Sequence, residues 1–469
     1  MKKTNRRNFI KSTGAVSLGF LGLYNFACNP QTKKKAAEET VKAGYGPLMK
    51  DPEGVMNLPE GFSYKIISRQ GTTMADGLIC PGHNDAMATF EGKEGKVLIV
   101  RNHEVSPDDL SSGAFGDKYE NLNKVDAARL YDYGKGEMPC LGGTTTIVFD
   151  EAKGKVEKEF MSLAGTIRNC AGGPTPWKSW ITCEETVLKK GEMDGKLEQD
   201  HGYNFEVKAA EDSGLNEPVP LKAMGRFNHE AVAVDPRTGI VYQTEDRHEG
   251  LIYRFIPNEK GNLAAGGKLQ ALAIKDWKSA DTRNWETIET EPVEQGKEYA
   301  VAWIDMDNVE SPEDDLRYRG FEKGAARFAR GEGMWFGNNE VYFACTNGGK
   351  DGTGQVFRYK PSADEGTEAE TANPGKLELF AEPNDTDIFK FCDNLTVAPW
   401  GDVVLVEDDH HPFIVGITPE GEYYKIGENI GYESELAGAV FSPSGNTLFV
   451  NIQHYGLTLA ITGPWQGEV

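Results

Sequence analysis

The sequence predicts an all-β protein: a β-propeller of about six blades, with loop insertions over one face. Three observations predict it. One short pattern recurs six times, in which a lead residue opens a β-like run, a turn follows, and a second β-like run often ends in acids or amides. A further run closes several of these units, as in Gly250–Pro257, Gly354–Pro361 and Pro412–Pro419, and reads as the third strand of a blade. No long helical periodicity appears. Short runs of Val, Ile, Tyr, Phe and Thr alternate with turn residues, and 54 Gly and 23 Pro punctuate them. Internal repetition of strand–turn–strand units is the mark of a propeller.

The chain opens on what reads as an address. Thr4-Asn-Arg6-Arg7-Asn-Phe9-Ile10-Lys11 resembles the twin-arginine motif, and an apolar run from Gly14 to Ala27 follows. Residues 1–27 are therefore expected to be a signal peptide read by the twin-arginine export machinery, sending the protein to the periplasm or cell surface. The run is too short, and too rich in Gly and Ser, to remain as a membrane span. Cys28 stands where a lipoprotein would be cleaved, yet Asn25 occupies a position that such sites give to Leu, so lipid anchoring stays open. Residues 28–45, with Lys33-Lys34-Lys35, read as a flexible tether. Residues 46–469 read as a single propeller.

The first unit is Asp85–Phe90 with Val97–Glu104, and the second is Cys170–Pro176 with Ser179–Glu185. The third runs from Glu230 to Glu245, turning at Gly239, and the fourth from Glu332 to Cys345, turning at Asn338-Asn339. The fifth runs from Asp393 to Glu407, turning at Gly401, and the sixth from Ala437 to Asn451, turning at Gly445. Successive lead residues are 85, 60, 102, 61 and 44 positions apart. That places insertions at 110–140 and 260–325, both polar and loop-like, where they can shape a pocket over one face. The last segment, Gly456–Trp465, reads as a strand that closes the ring against the first residues of the mature chain.

Equivalent positions of successive blades face one axis, which brings Asp85, Cys170, Glu230, Glu332 and Asp393 together. A thiolate among carboxylates is a metal-ligand set. A second ring is expected where the next strand ends: Glu104, Glu184 or Glu185, Glu245 with Asp246, and Glu407 with Asp408. Any one of these acids alone would read as a strand-end residue; recurrence at one blade position sets them apart. So many carboxylates at close range cannot all ionise unless cations sit among them. Arg330 lies two residues before Glu332, on the same side of an extended chain, where a guanidinium can grip phosphate through two oxygens. Arg226 and Arg254 are the next candidates. His103 and His229 precede Glu104 and Glu230, so alternation turns them away from the ligand side. The balance of 50 basic against 73 acidic residues, −23 net, excludes a nucleic-acid partner and suits a protein that holds divalent cations. Seven cysteines without a CxxC exclude a zinc ribbon, and spacing assigns no disulfide pairs. No Gly-x-Ser-x-Gly elbow, P-loop or dinucleotide fingerprint is present.

From about Gly44 to Trp465 the chain resembles the PhoX-type alkaline phosphatases of bacteria. The resemblance is carried by Asn169–Trp177 with Thr182–Glu185, by Phe227–Glu230, Thr244–Arg247, Arg330–Glu332, Asp393–Leu395 and Phe449–His454. It implies a twin-arginine-exported propeller whose pore holds a cluster of two iron ions and two or three calcium ions. It implies hydrolysis of small phosphate esters with release of inorganic phosphate. On this resemblance Cys170 ligates iron, Glu230, Glu332 and Asp393 are the carboxylate ligands, and Arg330 binds phosphate. Calcium falls to Glu104, Glu184, Glu185 and Glu407. A monomer is expected. Two other readings remain. A calcium-dependent lactonase or phosphotriesterase would need a His base over one calcium, and Cys170 speaks against it. A non-catalytic binding propeller would line its pore with aromatic residues instead of acids.

Overall fold

Each of the six lead residues falls second in a strand that faces a common axis. These innermost strands are Asn84–Glu91, Asn169–Pro174, His229–Val234, Gly331–Gly337, Cys392–Val397 and Leu436–Phe441. Each lies beside the next, and the sixth returns to the first. The geometry comes from a computed structural model that describes residues 43–212 and 214–466. The export motif at Arg6-Arg7, Cys28 and the tether up to Lys42 lie outside the described residues.

From each innermost strand the chain steps outward as an antiparallel meander, so six blades are present among the described residues. Blade 1, for example, runs Asn84–Glu91, Val97–His103, Gly142–Asp150 and Lys155–Thr166. These blades fall into five hydrogen-bonded sheets. The count drops because Glu298–Asp305 pairs with Gly267–Ile274 of blade 3 on one side and with Lys376–Ala381 of blade 4 on the other. The two blades thereby share a nine-stranded sheet.

This shared strand corrects one reading of the sequence. The 260–325 stretch is not only a polar loop: it holds Gly267–Ile274, Glu298–Asp305 and the helix Leu316–Lys323. Gly267-Lys-Leu-Gln-Ala-Leu-Ala-Ile has one β-branched residue, so its strand signal is weak. The 110–140 stretch does lack strands and carries short 3-10 turns.

Ring closure follows expectation. Leu457–Thr462 of blade 6 pairs with Ser63–Arg69 near the start of the described chain. An aromatic cluster locks the seam: Trp465 meets Phe62 at 4.7 Å, Tyr45 at 5.6 Å, Phe441 at 5.2 Å and Trp400 at 5.8 Å between ring centroids. Such pairs add about 0.5–1.5 kcal/mol each beyond the area they bury. Between blades, alternating side chains interdigitate, as where Met87, Ile99 and Phe149 of blade 1 pack on Val440 and Phe449 of blade 6. The six cysteines among the described residues, Cys80, Cys140, Cys170, Cys183, Cys345 and Cys392, are all free thiols.

Candidate metal centre

The pairing of the innermost strand with its neighbour breaks at the lead residue in the first five blades, and one residue later in the sixth. Register shifts fall between Asn84 and Met87, Asn169 and Gly172, His229 and Val232, Gly331 and Met334, Cys392 and Leu395, and Ala437 and Val440. A bulge re-aims the side chain beside it, and in the first five blades it frees the lead residue from the pleat, whereas Ala437 stays paired with Asn451. Glycines allow the strands to crowd the axis. A Cβ on Gly173 would lie 2.0 Å from the Val232 carbonyl oxygen, and one on Gly333 would lie 2.6 Å from the Asn394 Cα.

The second strand supplies the next ring by a bond repeated in all six blades. The carbonyl two residues before each lead residue accepts the N–H of an inward residue. The pairs are Glu104 to His83 (2.9 Å), Glu185 to Arg168 (2.9 Å), Asp246 to Asn228 (3.2 Å), Thr346 to Arg330 (3.0 Å), Asp408 to Phe391 (2.9 Å) and Gln453 to Glu435 (3.3 Å).

Three groups of ligand atoms result, each within 4.8 Å: Asp85, Glu104 and Cys170; Cys170, Glu185 and Glu230; and Glu230, Glu332 and Asp393. Shared Cys170 and Glu230 join them into one set of seven residues. Gln453 Nε2 bridges two of these acids, donating to Asp85 and to Glu104 at 2.9 Å each. Burial, reinforced by the neighbouring carboxylates, pushes Asp85, Glu230, Glu332 and Asp393 well above the usual carboxylate range. The same causes raise Glu185 to about 8 and lift the Cys170 thiol. Both carboxylate oxygens of Glu230 are buried with no hydrogen-bond partner among the described residues. A buried acid left so bare costs several kcal/mol unless a cation meets it.

Arg330 sits at the edge of this set. Its Nε and Nη2 grip Asp246 at 2.8 and 3.0 Å, and Nη2 also reaches Glu332 at 2.9 Å. The structure therefore brings together Asp85, Cys170, Glu230, Glu332, Asp393, Glu104, Glu185 and Arg330.

It does not bring Glu184, Glu245 or Glu407 there, and these three correct the ligand set read from sequence. Each pairs across the ladder with the residue before a lead residue, and alternation turns it off the pore. Their oxygens are taken up by protein donors. Glu184 accepts from the N–H groups of Ile167, Gly202 and Tyr203 and pairs with His201 Nδ1 at 2.7 Å. Glu245 accepts from Leu251 N–H and Tyr253 O–H, and Glu407 from Lys390 N–H and Phe413 N–H. They hold the blade corners. The next residue in each case, Glu185, Asp246 or Asp408, is the one whose N–H joins the repeated bond.

Arg226 and Arg254 are structural. Arg226 donates to the carbonyls of Val187, Leu188 and Ser311, and Arg254 is buried against Glu365 and Glu370 at a blade edge. His103 and His229 face away, as alternation requires: His229 stacks on Phe227 and bonds the Gly225 carbonyl. Reasoning from sequence missed Arg168, whose Nη2 pairs with Glu104 at 2.7 Å and with Glu185. Its signal was its place, two residues before Cys170, which matches Arg330 before Glu332.

Among solved structures, a gluconolactonase from Xanthomonas campestris is similar at 12% identity and a TM-score of 0.38, over 90% of this chain and 98% of that one. A protein of unknown function from Bacteroides thetaiotaomicron is similar at 8% identity and a TM-score of 0.43, over 86% of this chain and 76% of that one. Likeness at this level carries no argument about function. No curated protein matches the sequence. The family model for the alkaline phosphatase PhoX matches residues 43–456, which takes in all seven residues of the buried set and Arg330. By that match, over nearly the whole chain, the protein belongs to the PhoX family of alkaline phosphatases.

Proposed function

We propose that this phosphatase is an exported, metal-dependent phosphomonoesterase that releases phosphate from small phosphate esters at the axial end of the propeller. The observation that carries the reading is Glu230, whose two bare, buried oxygens stand among five other carboxylates and one thiol. The donor set fits the metals that the family resemblance implies. A thiolate with carboxylates suits iron, and a surplus of carboxylates suits calcium. When bound there, iron and calcium supply Lewis acidity and positive charge toward the phosphoryl oxygens.

The chain's own residues do the rest. Cys170 gives up its proton to become a ligand, and the buried carboxylates fix positions around the axis. Asp246 holds the Arg330 guanidinium by two hydrogen bonds, and Nη1 is left without a protein partner among the described residues. That nitrogen can bind a phosphoryl oxygen and oppose the charge that moves to the leaving group. The Arg6-Arg7 motif supports a periplasmic or cell-surface location.

Elemental analysis of protein purified without chelator tests the reading. Iron and calcium are expected, with a thiolate-to-iron colour that Cys170→Ser bleaches as hydrolysis is lost. A colourless, active enzyme holding only zinc overturns the iron assignment.

A further inference from the structure

The mouth of the pore carries a third ring, formed by the residue two before each lead residue: His83, Arg168, Asn228, Arg330, Phe391 and Glu435. The repeated carbonyl bond described above fixes its backbone in all six blades. In four of them the backbone is left-handed, at φ +46° for His83, +48° for both Arg168 and Arg330, and +49° for Phe391. L-residues rarely adopt this conformation, so its recurrence marks one local geometry used several times.

Arg168 and Arg330 occupy this geometry in blades 2 and 4, and their side chains are deployed alike. Arg330 spans Asp246 and Glu332 through Nε and Nη2. Arg168 spans Glu104 and Glu185 through Nη2, with Nε on the Glu185 carbonyl at 3.3 Å. Each guanidinium keeps Nη1 free of protein partners among the described residues. Each is also open to solvent, at 39% of the side chain for Arg168 and 30% for Arg330. Three of the four acids they hold, Glu104, Glu185 and Glu332, belong to the buried ligand set.

We propose that Arg168 is a second phosphate-binding residue, and that with Arg330 it grips the phosphoryl group of a monoester from two sides of the pore. The proposal rests on the phosphomonoesterase reading and deepens it. A monoester presents three terminal oxygens and two negative charges, whereas a diester presents two oxygens and one charge. Two guanidinium forks above a cation-holding floor match the former. Cations held by Glu104 and Glu185 would compete with Arg168 for the same oxygens and would leave its donors for a ligand at the mouth.

The test is calorimetric titration of inorganic phosphate into metal-loaded protein, with metal content and melting temperature measured on the same samples. Arg168→Gln is expected to weaken phosphate binding on the order of ten-fold, with metal content unchanged. Arg168→Lys keeps the charge beside Glu104 and Glu185 but loses the fork, and is expected to fall between; it serves also if the Gln variant does not fold. In both, KM for a phosphomonoester should rise. Wild-type phosphate affinity in Arg168→Gln, or a loss that merely tracks lost metal, overturns the proposal and leaves Arg168 a counter-ion. Loaded wild-type protein that binds no phosphate overturns instead the phosphatase reading beneath it.

Discussion

At the scale of single residues, one peptide step separates a carboxylate that faces the axis from one that holds a blade corner. Glu184 and Glu185 are chemically the same, yet one is consumed by backbone N–H groups and the other joins the buried set. The distinction is testable. Glu407→Gln places an NH2 group against the Lys390 or Phe413 N–H, so it should destabilise the fold by about 1–3 kcal/mol while metal content stays at wild type. Denaturant melts with elemental analysis check both halves; lost metal in a stable fold would restore Glu407 as a ligand. For Arg330 the expectation is catalytic. Arg330→Lys keeps the charge but loses the bidentate fork, and kcat/KM for a phosphomonoester should fall on the order of 100-fold, about 2.7 kcal/mol. Full activity with unchanged phosphate inhibition would assign the phosphate site elsewhere.

At the scale of elements, the blade is the unit that makes the site readable. The lead residues were legible in sequence because the same offset recurs in six strand–turn–strand units, and all six fall second in an innermost strand. The ring on the second strand was only half legible. A strand alternates with period two, and nothing local says which of two adjacent acids faces in. The bulge and the carbonyl bond decide it, and both exist only once two strands pair. The shared strand Glu298–Asp305 was illegible for a related reason: its partners are Gly267–Ile274 and Lys376–Ala381, and the latter lies far along the chain. The seam was legible as a last strand seeking a partner, although its aromatic lock was not. Trp465→Ala should remove four ring contacts at that seam and cost about 3–5 kcal/mol. Thermal melts check this, and a change below about 1 kcal/mol would show that the β-ladder alone holds the ends.

At the scale of the whole molecule, seven metal-seeking groups on one axis tie stability to cations. Removing metal should lower the melting temperature by several degrees, and added calcium should restore it. The loss should grow with pH. Folded metal-free protein keeps protons on Asp85, Glu230, Glu332 and Asp393, and on Glu185 up to about pH 8, which the unfolded chain releases near pH 4 to 4.5. The folded state then binds more protons than the unfolded one, so stability in chelator falls as pH rises from about 4.5 through 8. A melt in chelator that is flat over this range would deny the acid set its role. The seam ties the acid set to closure of the ring. The strand that seals the ring, Leu457–Thr462, pairs with Ser63–Arg69, and Gln453, just before it in the chain, bridges two ligand acids. A chain cut short before Leu457 would carry every acid and the thiol, yet would end in an unsealed blade with a bare strand edge. Ion binding should therefore report on ring closure, since the acids keep their common axis only while that last blade is sealed.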